Sequence, residues 1–292
     1  MKYWQQNLIP QHFFSHLMGK LANAKLGCLT RFGIKKFIAR YGVNMREAKI
    51  NDYRQFVTFN DFFTRELKSN ARIISTEFNN IISPVDGTVS ECGTIKQDQL
   101  LQAKGAYFNL LDLCGQDAAL AHYFENGNFL TAYLSPKDYH RFHIPITGKL
   151  IKMIYVPGKL FSVNQSSVNN VPGLFARNER VICLFETDIG KIALIAVGAM
   201  IVGSVSMKWH GIVAPQRKRK TAVWHYTDQN IVFEKGDEVG HFRLGSTVII
   251  LTEKNKMKWS DALCADKSLC VGESIGLKCF MHDQMEKQSP LK

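Results

Sequence analysis

The chain has little that would cross a membrane, bind a metal or cross-link itself. Its most apolar stretch, Ile192 to Met207 between Lys191 and Lys208, is 16 residues long and contains Gly198 and Gly203. That is short of the ~20 residues a spanning helix needs, so buried strands are expected there. The seven cysteines are odd in number, scattered and without a CxxC pair. This argues against a disulfide framework and for reduced thiols in a cytosolic compartment. Met1-Lys2-Tyr3-Trp4 is followed by Gln5-Gln6-Asn7 rather than an apolar core, so no signal peptide is expected. HExxH, zinc-ligand spacing, a helix-turn-helix pattern and an RNP-like aromatic stretch are all missing, which disfavours metallohydrolases and nucleic-acid partners.

Acidic residues are scarce near the start. Residues 1–54 carry ten Lys or Arg against only Glu47 and Asp52, a net charge of +8 out of +12 for the chain. Such a surface suits anionic lipid or an acidic substrate. Hydrophobic content of 46% over 292 residues can bury a sizeable core, and 11% aromatics argue against extended disorder. Phe13, Phe14, Leu17, Met18 and Leu21 fall at helical spacing, as do Ile34, Phe37, Ile38 and Tyr41, with Lys35, Lys36 and Arg40 off that second stripe. The apolar faces of these two helices either pack on the core or enter an anionic headgroup region. A third helix is expected over Thr58–Leu67, capped by Asn60.

After Asn70 the pattern turns to β-type runs broken by Gly, Pro and Asn, including Ile81-Ile82, Leu130–Leu134, Val181–Phe185 and Ile192–Val205. The fold class is therefore α+β, with short N-terminal amphipathic helices packed on a strand-rich, mostly antiparallel β core. The expected division is a basic, membrane-associating helical segment over 1–70 and a catalytic domain over 71–292. Gln216–Lys220 reads as a solvated loop and Gln284–Lys292 as a loose tail.

Three segments carry chemistry. Leu244-Gly245-Ser246-Thr247 precedes the strand-like Val248–Leu251, and a glycine leaves its carbonyl open to the neighbouring hydroxyl. Ser83–Val89 contains Asp86 in a Pro-Val-Asp-Gly turn, a common structural pairing in isolation. Ser135-Pro136-Lys137-Asp138 reads as a helix start that presents His140, before His143 extends into a strand stopped by Pro145. The two histidines are spaced as metal ligands can be, but a third ligand is missing, so no metal is expected. Serine, histidine and aspartate together are the parts that activate a hydroxyl. Ser246 lacks the G-x-S-x-G elbow of many serine hydrolases, which weakens that alternative.

Together these segments resemble the signature regions of the bacterial, pyruvoyl-dependent phosphatidylserine decarboxylases. Thr58–Leu67, Gly158–Asn164 and Asn170–Arg180 agree with the same family, in the same order. The resemblance implies that Asp86 orients His143, and that His143 takes the proton of Ser246. Ser246 then attacks the Gly245 carbonyl, splitting the precursor into a large chain, 1–245, and a small chain, 246–292, that stay associated. Ser246 becomes a covalent pyruvoyl group in place of pyridoxal phosphate. Phosphatidylserine forms a Schiff base with it, loses CO₂ and leaves as phosphatidylethanolamine. The same resemblance implies that His140 assists decarboxylation or reprotonation and that Phe161 and Ser162 line the site. It further implies a peripheral location on the cytoplasmic face of the inner membrane and a homodimer of processed protomers. A pyruvoyl decarboxylase for a small amino acid is the alternative, and the basic amphipathic N-terminus favours the lipid.

Overall fold

The computed structural model describes residues 11–103, 105–199, 204–216, 220–243 and 246–279. Leu244 and Gly245, most of the expected Gln216–Lys220 loop and the tail lie outside the described residues. Among the described residues three α-helices come first: α1 (Gln11–Asn23), α2 (Cys28–Tyr41) and the short α3 (Phe59–Phe63). Strand follows, with four further short helices between strands. β1 (Asn80–Ile82), β2 (Gly87–Thr94), β3 (Gln99–Ala103), β4 (Ala106–Asn109), β5 (Asn128–Leu134) and β6 (Arg141–His143) lie in the first half. β7 (Gly148–Val156), β8 (Arg180–Thr187), β9 (Gly190–Val197), β10 (Val205–Met207), β11 (Gly211–Ala214) and β12 (Ala222–His225) come next. The last are β13 (Val232–Phe233), β14 (Glu238–Phe242), β15 (Ser246–Thr252), β16 (Met257–Trp259), β17 (Ser268–Leu269) and β18 (Ser274–Lys278).

One antiparallel sheet organises the molecule, in the order β12-β7-β8-β9-β15-β5-β2-β17, with β13 also on β7. Both of its faces are covered, which explains why its strands read as continuous apolar runs rather than as an alternation. Ile182, Leu184, Ile195, Val197, Ile249 and Leu251 face the helices and pack with Phe62, Phe63, Phe161 and Phe175. Val181, Cys183, Leu194, Ala196, Val248 and Ile250 face the other way. They meet Phe142, Val205, Val239 and Phe242 of a second sheet, ordered β11-β10-β14-β6.

The site follows from this topology. Antiparallel neighbours alternate in direction, so β2 and β15 begin where β5 and β9 end. Thr88 pairs with Tyr133, Ser246 with Leu134, and Thr247 with Val197. The end of the sheet therefore gathers the start of β15, the loop that precedes β2 and the loop that leaves β5 toward the histidines. Gly87 is required at this end by crowding. A Cβ there would lie 2.4 Å from the Tyr133 carbonyl oxygen.

The fold class is as expected, but two local readings need correction. Thr58, not Asn60, caps α3: its hydroxyl accepts from Asp61 N while Asp61 accepts from Thr58 N, a reciprocal capping box. Asn60 is a buried residue inside the helix, donating from Nδ2 to Asn23 Oδ1. Ser135–Asp138 starts no helix. Asp138 Oδ2 accepts from both Ser135 N and Ser135 Oγ at 2.7 Å, closing a turn after β5 that delivers the chain into β6. The two N-terminal helices also differ in use. In α2, Ile34 is buried and Phe37 and Ile38 pack on the core. In α1 the packed side is polar, with Gln11 and Ser15 buried, whereas the apolar stripe is open, from Phe13 at 66% exposure to Met18 at 38%.

Candidate active site

Asp86 sits in the bend before β2, only 7% exposed. Arg72 clamps it: Nε donates to Oδ1 at 2.8 Å, a second guanidinium nitrogen donates to Oδ2, and Val271 N donates to Oδ1 at 2.9 Å. Arg72 also reaches Glu47 Oε2 at 2.8 Å. Its hydrogen bonds to Asp86 hold the guanidinium pKa above the usual arginine range.

His143 is tied to the same loop through its main chain, since His143 N donates to the Pro84 carbonyl at 2.8 Å. Its Nδ1 lies 2.7 Å from the Gly236 carbonyl oxygen. A carbonyl only accepts, so Nδ1 carries the proton and Nε2 presents its lone pair. Tyr139 Oη, 3.2 Å away, donates to that lone pair. Burial lowers the His143 pKa, while the Gly236 carbonyl and the charges of Glu238 and Asp86 oppose the shift. The ring is thus biased toward its neutral form, with Nε2 as the unprotonated nitrogen. Burial alone would raise Glu238, but the His241 ring and Arg141 hold its pKa down to about 2.

The structure brings Asp86 and His143 into one neighbourhood without joining them by a hydrogen bond. Asp86 spends its oxygens on Arg72 and Val271, and His143 spends Nδ1 on Gly236. Asp86 acts on His143 through its charge. Sequence reasoning missed Arg72, Gly236 and the role of Tyr139. Arg72 lies in a non-periodic link between the helices and β1, and a carbonyl acceptor is supplied by any residue, so neither leaves a signal in residue type. Tyr139, four residues before His143 in Tyr-His-Arg-Phe-His, was the one legible neighbour.

His140 is wholly buried and stacks on the Phe63 ring, with centroids 4.1 Å apart. Neither ring nitrogen has a hydrogen-bond partner. Burial, and then the nearby Arg65 charge, pushes its pKa down to about 3, and the Ser135 and Pro136 carbonyls oppose this without closing a hydrogen bond. Because the folded ring resists protonation while the unfolded one titrates at its ordinary 6.5, acid favours the unfolded state between these values. The cost is about 1.4 kcal/mol per pH unit. We expect denaturant melts to lose about 2 kcal/mol from this group between pH 6.5 and 5. His140→Phe, which keeps the stack, should remove that share of the slope. An unchanged slope in the variant contradicts this assignment.

Phe161, fully buried, is held at the same sheet end. Asn178 Oδ1 accepts from Phe161 N at 3.0 Å, and Asn178 Nδ2 donates to the Phe161 and Gly198 carbonyls, both at 2.9 Å. Arg177 lies over its ring at 4.9 Å, and Ser162 beside it is half-buried. Ser246 is placed by its backbone as the first residue of β15. Among the described residues no group of three His, Cys, Asp or Glu side chains is arranged to hold a metal ion.

Comparison with known proteins gives this geometry a family. The phosphatidylserine decarboxylase family model matches residues 59–277, and a second model, described as PSD, matches residues 1–42. A protein of Coxiella burnetii (strain RSA 331 / Henzerling II) is 49% identical over 268 residues, covering 92% of this chain and 95% of the relative. One of Marinobacter nauticus (strain ATCC 700491 / DSM 11845 / VT8) is 50% identical over 273 residues, 93% of this chain and 95% of its own. One of Dechloromonas aromatica (strain RCB) is 49% identical over 271 residues, with 93% and 95% covered. All three are named phosphatidylserine decarboxylase proenzyme. The chain belongs to the phosphatidylserine decarboxylase family.

A phosphatidylserine decarboxylase of the proenzyme type needs room and partners for a carbonyl group at a new chain terminus. The residues present fit one at Ser246. The next residue, Thr247, is wholly buried with an unpartnered Oγ1, and both ring nitrogens of His140 are unpartnered on the loop that leaves β5 beside Ser246. Orphaned polar atoms in a closed site are costly unless a reacting group satisfies them.

Proposed function

We propose that this decarboxylase makes its own carbonyl cofactor at Ser246 and converts phosphatidylserine to phosphatidylethanolamine and CO₂ at an anionic membrane surface. The observation that carries the reading is the tautomer of His143. Its Nδ1 lies on the Gly236 carbonyl, which leaves Nε2 as the basic nitrogen, and the hydroxyl we assign to it is that of Ser246, the first residue of β15.

Released from the Tyr139 hydroxyl, Nε2 accepts the Ser246 hydroxyl proton as Oγ adds to the Gly245 carbonyl carbon. The proton returns to the departing Ser246 amine, and an ester replaces the peptide bond. Loss of the α-proton and of the Gly245 carboxylate leaves a dehydroalanine, which water converts to pyruvoyl and ammonia. Asp86 stabilises the imidazolium that forms in passing. Large (1–245) and small (246–292) chains stay together, because β15 lies inside the sheet between β9 and β5, paired with both along its length.

Once formed, the pyruvoyl group supplies an electron-withdrawing carbonyl that takes up the electron pair left as the substrate carboxylate departs. Residues of the chain do the rest. His140, neutral and with both ring nitrogens unpartnered, relays a proton, taking one up at one nitrogen as the other gives its own to the carbon that loses CO₂. Phe161 walls the site against water.

The membrane-facing part of the proposal rests on α1 and its surroundings. Phe13, Phe14, Leu17, Met18, Leu21, Leu29 and Phe32 are exposed on two neighbouring helices, which carry Lys20, Arg31, Lys35, Lys36 and Arg40. An apolar patch rimmed by cations suits the anionic cytoplasmic leaflet as a peripheral contact. No helix among the described residues is long and apolar enough to span a bilayer. Replacing Phe13, Leu17 and Leu21 together by Ser is expected to weaken sedimentation with anionic vesicles at least tenfold, because each side chain contributes on the order of 1 kcal/mol, and to leave chain cleavage intact. Equal sedimentation of variant and wild type contradicts the contact.

The activity itself is read by incubating purified protein with phosphatidylserine vesicles and following phosphatidylethanolamine by phosphorus NMR. Formation of the ethanolamine lipid is the expected result. Its absence, with cleaved protein in hand, refutes the lipid substrate.

A further inference from the structure

The polar side of α1 does more than pack. With Asn60, Leu160, Ser204 and Arg243 it lines a cavity of about 800 Å³, within the range usual for small-ligand sites. Among the described residues the lining includes Lys20 and Arg243 and no Asp or Glu. Neither cation makes an ion pair among the described residues, and Arg243 Nε is buried without a hydrogen-bond partner. Its own backbone is fixed, with Arg243 N donating to the Ser204 carbonyl at 3.0 Å. Arg243 directly follows β14 and stands three residues ahead of Ser246 in the sequence. An uncompensated guanidinium inside a carboxylate-free cavity is a receptor for an anion, and its planar fork suits phosphate oxygens.

We propose that this cavity is a head-group chamber in which Arg243, assisted by Lys20, holds the phosphodiester of the glycerophospholipid. In this arrangement α1 is the partition between bilayer and chamber. Its apolar stripe faces the acyl region, its polar side faces the chamber, and only the head group passes inside. The inference deepens the function proposed above and rests on it for the lipid. The same cations would also greet free phosphate, so the test separates the two sources.

The probe is dihexanoyl-phosphatidylglycerol, a soluble anionic phosphodiester with no amine or carboxylate, titrated calorimetrically into the full-length protein. It reads the phosphate contact whether or not the protein has cleaved itself. Arg243→Gln is expected to weaken binding about tenfold, as loss of a charged hydrogen bond does. Arg243→Lys should restore part of it, and Lys20→Gln, on an exposed helix position, should weaken it about threefold. Equal concentrations of inorganic phosphate should displace less than a tenth of the probe. Should Arg243→Gln fail to fold, Lys20→Gln and Arg243→Lys still decide. Unchanged affinity in the folded variants overturns the chamber, and displacement by inorganic phosphate as effective as by the diester reduces it to a general anion site and overturns the lipid assignment. Arg243-dependent diester binding in a protein without decarboxylase activity would leave the chamber standing and remove the function. Decarboxylation with cation-independent binding would do the reverse.

Discussion

Ser246→Ala should yield a single, uncleaved chain with no decarboxylase activity. The alanine has no Oγ to add to the Gly245 carbonyl, so neither ester nor carbonyl group arises. Wild-type protein run beside it should resolve into 1–245 and 246–292 under denaturing conditions. The variant should still fold, since β15 is secured by its pairing with β5 and β9 over Thr247–Thr252 and its apolar residues Val248, Ile249, Ile250 and Leu251 fill both cores. Loss of activity is expected to be complete, because the group that receives the electrons is then never made. A cleaved alanine variant, or an uncleaved one that still releases CO₂, contradicts the account.

His143→Ala is the second large effect. Removing a positioned base from a proton transfer costs roughly 10²–10⁴ in rate, so pulse-labelled precursor should persist for at least a hundred times its normal lifetime. The pH profile of wild-type cleavage carries a further expectation. Burial lowers the His143 pKa, which keeps Nε2 unprotonated into mildly acid solution. Cleavage should stay flat as pH falls through the ordinary histidine value and decline only below it. A midpoint above the ordinary value of 6.5 would mean that the Asp86 and Glu238 charges, not burial, govern the ring. His140→Phe separates the two histidines: its precursor should cleave, but the product should turn over lipid poorly. Equal lipid turnover by this variant and wild type removes His140 from the reaction.

The fold class and most strands were legible because the strands of the large sheet are covered on both faces and therefore read as unbroken apolar runs. Helix boundaries were legible less finely. Ser135-Pro136-Lys137-Asp138 has the residue types of a helix start, but Asp138 turns back onto Ser135 and the chain enters β6 instead. For α1 the 3.6-residue period was plain, whereas the direction in which its stripe points was not. Amphipathicity fixes a face without saying which face is inward, and here Gln11 and Ser15 are the buried ones. In the candidate site Asp86, His140 and His143 stood out as residue types of known chemistry at suggestive positions. Their partners did not. Arg72 and the Gly236 carbonyl reach Asp86 and His143 from 14 and 93 residues away, and such contacts depend on tertiary placement alone. Asp86 and His143 are held by these two clamps and share no hydrogen bond, so Asp86 influences the ring through its charge. Positioning of the base is therefore shared among more groups than a triad implies.

The mass and terminal chemistry of the 246–292 fragment test the central claim most directly. The account predicts a small chain that resists amine-directed sequencing, has the mass expected for a terminal pyruvoyl, and shifts by one adduct on treatment with phenylhydrazine. A free serine amine at residue 246, or lipid turnover by a chain still joined across 245 and 246, would contradict it.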